Sequence, residues 1–167
     1  MRTSLSGSNL GGLICLSAGL IFLLSSCSDS RIYDEYHDFD ENVWHMDSTE
    51  KFTFTVDTTA DQFQLSYLVR NTADYSYYNL YLKFTLEDSL HQVIESQMQE
   101  VILFDPKTGK PYGSGLGDLF SHEFPAISGF TFPYKGKFTF SVQQYMRVES
   151  LAGIQSLGLK VERVEQE

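Results

Sequence analysis

From Glu50 onward this chain repeats with a period of two. Phe52, Phe54 and Val56 alternate with Lys51, Thr53 and Thr55. Phe63, Leu65, Tyr67 and Val69 alternate with Gln64, Ser66 and Leu68, and Tyr78, Leu80, Leu82, Phe84 and Leu86 alternate with Asn79, Tyr81, Lys83 and Thr85. Successive side chains of a strand point to opposite faces, so each run has one apolar face to bury and one polar face to leave wet. Antiparallel sheets carry that pattern, and no long stretch has the helical period. A fourth strand is expected over Gln92–Phe104, with a bulge or break near Gln97–Gln99, then a long loop over Asp105–Ser128. Further strands are expected over Phe130–Tyr134, Gly136–Met146 and Gly158–Val164, with one helical turn over Glu149–Gln155. About seven strands separated by turn signals predict an all-β fold, an antiparallel two-sheet β-sandwich of Ig-like or jelly-roll type. Strand order is not readable from the pattern.

The N-terminus is built differently. Arg2 is followed by an apolar run from Leu10 to Leu24, and the run ends in Leu24-Ser25-Ser26-Cys27. A branched apolar residue, two small residues and a cysteine form a lipobox, the end of a cleaved lipoprotein signal peptide. The small side chains suit a signal peptidase, and the Cys27 sulfur accepts a diacylglyceryl group. Acyl chains bury about 0.8 kcal/mol per CH₂, so several of them hold a protein on a bilayer. An uncleaved anchor is the alternative, but the run is about 15 residues and contains Gly11, Gly12 and Gly19, against about 20 for a spanning helix. The expected organisation is a signal peptide over 1–26, a lipid-anchored tether over 27–43 and a β-sandwich domain over 44–167. The tether is acidic, with Asp29, Asp34, Glu35, Asp38, Asp40 and Glu41, while Tyr33, Tyr36 and Phe39 suggest that part of it docks on the domain.

Cleavage leaves roughly 140 residues, one domain on length alone. The remaining cysteine is the acylated one, so no disulfide forms and packing must supply the stability. The chain has 13 Phe and 10 Tyr to do so. Its net charge is −10, and one unit more acidic once Arg2 is removed. That argues against nucleic acid as a partner, and against electrostatic adhesion to anionic lipid. The membrane contact falls to the lipid.

Few residues suggest chemistry. Gly113, Gly115 and Gly117 with Asp118 form a G-x-G-x-G-D element, a candidate binding loop. The spacing is not that of a dinucleotide fingerprint or a P-loop, and a loop needing φ > 0 accounts for it equally. His37, His45, His91 and His122 lack metal-ligand spacing, so no metal is expected. Asp118, His122 and Glu123 together are a weak hydrolase candidate, no G-x-S-x-G elbow is present, and no catalytic residue is assigned. The chain is read as a non-enzyme with no cofactor beyond the covalent lipid on Cys27. The clearest recognition candidate is Tyr75, Tyr77 and Tyr81, which share one parity and form an exposed row if the strand begins early. Such a row stacks on sugars or anchors a protein. A second layer covering them is the competing reading. The lone Trp44 reads as a packing plug.

Cys27, Tyr33, Trp44, Phe52 with Phe54, Val69-Arg70-Asn71, Tyr75, Tyr78-Asn79-Leu80-Tyr81-Leu82 and Gly113-x-Gly115-Leu116-Gly117-Asp118 together resemble the GldH gliding-motility lipoproteins of Bacteroidota. The resemblance spans the mature chain. It implies an outer-membrane lipoprotein associated with gliding motility and with type IX secretion machinery, acting through contacts with other envelope proteins. It transfers no catalytic residue. Surface-exported lipoproteins of this phylum carry a compact acidic run after the cysteine. Ser28-Asp29-Ser30-Arg31 departs from that signal, so the periplasmic face of the outer membrane is expected. The alternative is a glycan-binding envelope lipoprotein that uses the tyrosine face.

Overall fold

The computed structural model describes residues 30–164. The expected signal peptide, residues 1–26, and Cys27 lie outside the described residues. Among the described residues there are eleven strands: β1 (Arg31–Asp38), β2 (Val43–His45), β3 (Thr49–Val56), β4 (Gln62–Thr72), β5 (Asn79–Asp88), β6 (Val93–Ile102), β7 (Ser114–Leu116), β8 (Leu119–Phe130), β9 (Gly136–Gln144), β10 (Ser150–Ala152) and β11 (Ile154–Val164). A five-stranded sheet has the order β1-β11-β4-β8-β7 and a four-stranded sheet the order β3-β9-β5-β6; β10 and β2 form a short ribbon. Every pairing is antiparallel. The fold is the expected all-β sandwich, with more strands than the alternation revealed.

The apolar parities read from the sequence face each other across the two sheets. Phe63, Leu65, Tyr67 and Val69 of β4 and Leu157, Leu159 and Val161 of β11 are buried against Phe52, Phe54, Leu80, Leu82, Phe84, Leu86, Phe138 and Phe140. Tyr67 meets Phe140 and Phe84 across the gap, with centroids 5.9 and 6.4 Å apart. Phe132, just past β8, closes one end against Phe63 at 5.3 Å and Phe138 at 4.6 Å. Each such side chain contributes about 1.5–3 kcal/mol by leaving water.

Five expectations are corrected. The segment 27–43 is not a tether throughout, because Arg31–Asp38 pairs with β11 along its length. Its inward positions Tyr33, Glu35 and His37 are polar or aromatic, since they lie at the rim where β1 meets β3. Tyr33 touches the Phe54 ring at 5.9 Å, and His37 bonds Glu50 at 2.7 Å. Asp105–Ser128 is not a long loop, since most of its second half is β8, paired with β4. Residues 149–155 form β10 and the start of β11 rather than a helical turn, and 131–134 lie outside strands. The pairing of β6 is regular through Gln97–Gln99, and its irregularity falls at Leu86/Glu87 instead.

Candidate functional site

The outer face of the four-stranded sheet is set by the polar parity of its strands. Hydroxyls meet across its strands, among lysines and glutamates: Thr53 meets Thr139 at 3.1 Å, and Thr85 meets Ser96 at 3.2 Å. At the end where β5 begins and β9 finishes, the character changes to tyrosine and methionine. Tyr81 and Tyr145 are joined through their backbones, with the Tyr145 N–H donating to the Tyr81 carbonyl at 2.8 Å. The Tyr81 N–H donates to the Met146 sulfur at 3.2 Å. Fully buried Gln144 braces this turn, accepting from the Met146 N–H at 2.8 Å and donating to the Val148 carbonyl at 2.9 Å. Arg147 takes a left-handed φ of 61° in the same turn.

Two grooves result. One of about 500 Å³ is lined by Tyr81, Met98, Tyr145, Met146 and Arg147. Its neighbour, about 470 Å³, shares Tyr145 and Arg147 and adds Met46 and Gln143. The Gln143 amide ties the two sides by donating to the Met46 carbonyl at 2.8 Å. Met46 (43% exposed), Met98 (56%), Tyr81 (36%) and Tyr145 (47%) leave a continuous soft apolar surface. Lys83 reaches over the Tyr145 ring at 5.9 Å. The carboxylate of Glu100 accepts a hydrogen bond from the Tyr81 phenol, which raises the phenol's pKa above its ordinary 10.0.

The three-tyrosine row does not assemble. β5 begins at Asn79, so Tyr75 and Tyr77 precede it and do not follow its parity. Tyr75 is buried. Its hydroxyl donates to the Asn79 carbonyl at 2.7 Å, its ring lies along Phe104, and burial raises its pKa. Tyr77 is exposed, with Tyr78 and Pro106 around a separate shallow hollow. Only Tyr81 belongs to the grooves. Met46, Tyr145, Met146 and Arg147 escaped the sequence reading because a strand was expected to run through Met146. Met46, Met98 and Met146 lie far apart in the sequence, so no local pattern marks them as one site.

The glycine element is a hairpin. Gly117 and Asp118 are its two turn residues, with Leu116 opposite Leu119, and Gly117 has a φ of 67°. A Cβ on Gly115 would lie 2.2 Å from the Leu119 carbonyl oxygen, and one on Gly113 would lie 2.7 Å from the His122 ring. The residue choice therefore reflects close chain approach. The Asp118 carbonyl accepts the Ala73 N–H at 2.8 Å, which pins the hairpin to the end of β4. Asp118, His122 and Glu123 do not converge. His122 points inward, bonded to Asn71 Oδ1 at 2.9 Å, and burial lowers its pKa. Glu123 points to the opposite face, 2.6 Å from Lys160. Among the described residues, no group of His, Cys, Asp and Glu is placed to hold a metal ion.

Two solved structures show weak likeness. An arabinose-bound α-L-arabinofuranosidase is 12% identical with a TM-score of 0.31, over 77% of this chain and 23% of that one. An infectious bursal disease virus structure is 10% identical with a TM-score of 0.23, over 82% of this chain and 35% of that one. Neither score carries an argument. Sequence relatives are more informative. The chain is 31% identical over 150 residues to a gliding motility lipoprotein GldH homolog of Christiangramia forsetii, covering 86% of this chain and 90% of that protein. The family model for the GldH lipoprotein matches residues 31–161, from the first strand to the last. The chain belongs to the GldH lipoprotein family, whose members are associated with gliding motility.

Proposed function

We propose that this lipoprotein is anchored through Cys27 on the periplasmic face of the outer membrane. There it serves the gliding and type IX secretion machinery as a non-enzymatic component that binds other envelope proteins. The observation that carries this reading is the groove pair around Tyr81, Tyr145, Met46 and Met98. Tyrosine, methionine and arginine are the residues enriched at the centres of protein interfaces. Methionine adapts its shape to a partner at little cost. The surrounding polar face makes the patch a local departure rather than a general property of the surface.

The anchoring reading gains from β1. With Arg31 already in a strand, only about four residue steps separate Cys27 from the sandwich, a reach of about 14 Å. The body is then held close to the bilayer, while its acidic charge disfavours lying flat on anionic lipid. The reading invokes no cofactor, no metal and no nucleic acid. The sugar platform loses its basis with Tyr75 buried and Tyr77 outside the grooves.

The test is site-specific photo-crosslinking in intact cells. A probe replacing Tyr145 traps one or a few defined envelope proteins, and the same probe at Thr139, on the polar part of the same face, does not. No adduct at Tyr145, or equal adducts at both positions, overturns the reading.

A further inference from the structure

The sandwich has two ends, and strand direction tells them apart. β1 and β4 start and β11 finishes at one of them, where Arg31 lies opposite Glu162 and Gln62 opposite Val164. The second sheet reaches the same end. Arg163 of β11 holds Asp57, just past β3, at 2.9 Å, and Phe63 of β4 meets Phe132, which lies on Phe138 of β9. Phe138 pairs with Asp88, so the turn from β5 to β6 is there too. The Tyr81 grooves and the tip of the β7–β8 hairpin are at the other end, roughly 35 Å away by strand rise along β8.

Two tips project from the end where β1 starts. Leu90, in the β5–β6 turn, is 75% exposed, and Val93, which opens β6, is 60% exposed. The turn is tightly built. Asp88 Oδ1 accepts the N–H groups of Leu90 and Gln92 at 2.8 and 2.9 Å, and His91 takes a left-handed φ of 61°. The other Asp88 oxygen accepts the Tyr134 hydroxyl, which ties the turn to the second tip, the exposed Pro133-Tyr134-Lys135. A lone exposed leucine needs no explanation. Here a buried carboxylate fixes an aliphatic tip and an aromatic tip at one end of the molecule. Acidic groups of this end are engaged internally: Asp57 and Asp61 meet Arg163 at 2.9 and 3.2 Å, and Asp88 holds the turn.

We infer that this end of the sandwich rests on the bilayer, with Leu90 in the lipid interface and Tyr134 and Lys135 at headgroup level. Its premise is the anchor at Cys27 proposed above. Arg31 lies within about 14 Å of Cys27, so the lipid that holds Cys27 holds this end near the surface. An aliphatic tip enters the acyl boundary, while tyrosine and lysine offer an apolar body to it and a polar end to the headgroups. Lying on the β1 edge instead would press the exposed Glu35 and Asp38 against the headgroups. Standing on this end turns the Tyr81 grooves away from the bilayer, toward the envelope proteins they are proposed to bind.

The test uses the full chain, expressed so that it is processed and acylated, then reconstituted into phosphatidylethanolamine–phosphatidylcholine vesicles. Acylation of Cys27 leaves the mature chain without a free thiol, so single cysteines can carry an environment-sensitive dye. The dye at Leu90→Cys emits to the blue, and spin-labelled acyl chains quench it severalfold more than the dye at Leu116→Cys. Leu116, at the far hairpin tip, is the more exposed of the two at 93%. Both side chains are in water in the isolated fold, so both variants keep wild-type thermal unfolding. Equal quenching at the two positions, or stronger quenching at Leu116→Cys, in chains that float with the vesicles overturns the inference and leaves the anchor standing. Chains that do not float overturn the anchor and the inference together.

Discussion

β4 and β6 are nearly equal in length and have opposite surroundings. β4 lies between β11 and β8, and both of its faces are buried. Its inner face enters the aromatic core. Its outer face is covered by long side chains from neighbouring strands: Tyr36 lies over Gly158, Arg70 stacks on the Tyr36 ring at 3.9 Å, and Lys160 spans Glu123 and Glu162 at 2.6 and 3.1 Å. β6 has one neighbour and little covering on either face. Both strands satisfy the same backbone geometry. What separates them is the number of partners, and that divides the molecule into a part that holds the fold and a part that remains open for contact.

The comparison can be broken by mutation. Phe63→Ala on β4 removes a fully buried ring and should cost about 3–5 kcal/mol in urea unfolding. Gly158→Val should cost about 1–3 kcal/mol, because a Cβ there would sit 2.6 Å from the Glu35 carbonyl oxygen. Hydrogen exchange should show amides of 31–38 opening first, since β1 is the strand displaced. A cost at Gly158 without opening of β1 would refute that account of the outer face.

His122, on the strand beside β4, sharpens the contrast through pH. Burial lowers its pKa below the ordinary 6.5, so the folded chain favours the neutral ring. The unfolded chain takes up the proton first as pH falls below about 6.5, and stability therefore drops with acidification until His122 protonates in the fold. Unfolding measured from pH 7.5 to 5 should show this loss, and His122→Gln, which keeps an amide for Asn71, should flatten it relative to wild type. The smallest effect belongs to β6. Met98→Ala should change monomer stability by less than about 0.5 kcal/mol. A Met98 cost comparable to that of Phe63 would show that β6 is part of the folding core.

The strands whose inner positions are uniformly apolar were legible in the sequence: Phe52 to Val56, Phe63 to Val69, Leu80 to Leu86 and Phe138 to Val142. β8 was not. Its inward row runs Phe120, His122, Phe124, and a histidine satisfied by Asn71 breaks the pattern. Pro125, which lacks an N–H, is a residue type confined to strand edges and bulges. β1 was hidden because an edge strand at a rim tolerates Glu35 and His37 facing inward. The tyrosine site was half legible. Tyr81 follows the parity of β5, but extending that parity back to Tyr75 assumed a strand where a turn stands. The grooves needed Tyr145 and Met46 to come together from distant parts of the chain, and no local period encodes that.

Trp44 is the only tryptophan in the chain. It is fully buried where β2 meets β10, stacked on Phe39 at 5.0 Å, with its indole N–H on the Ser48 carbonyl. The protein thus carries its own optical gauge. Blue-shifted, poorly quenched emission reports that the residues leading out of β1 are seated, and a red shift without global unfolding marks their release. Because that seat adjoins β1, the described strand nearest Cys27 in sequence, native fluorescence would register tension on the proposed anchor with no label attached.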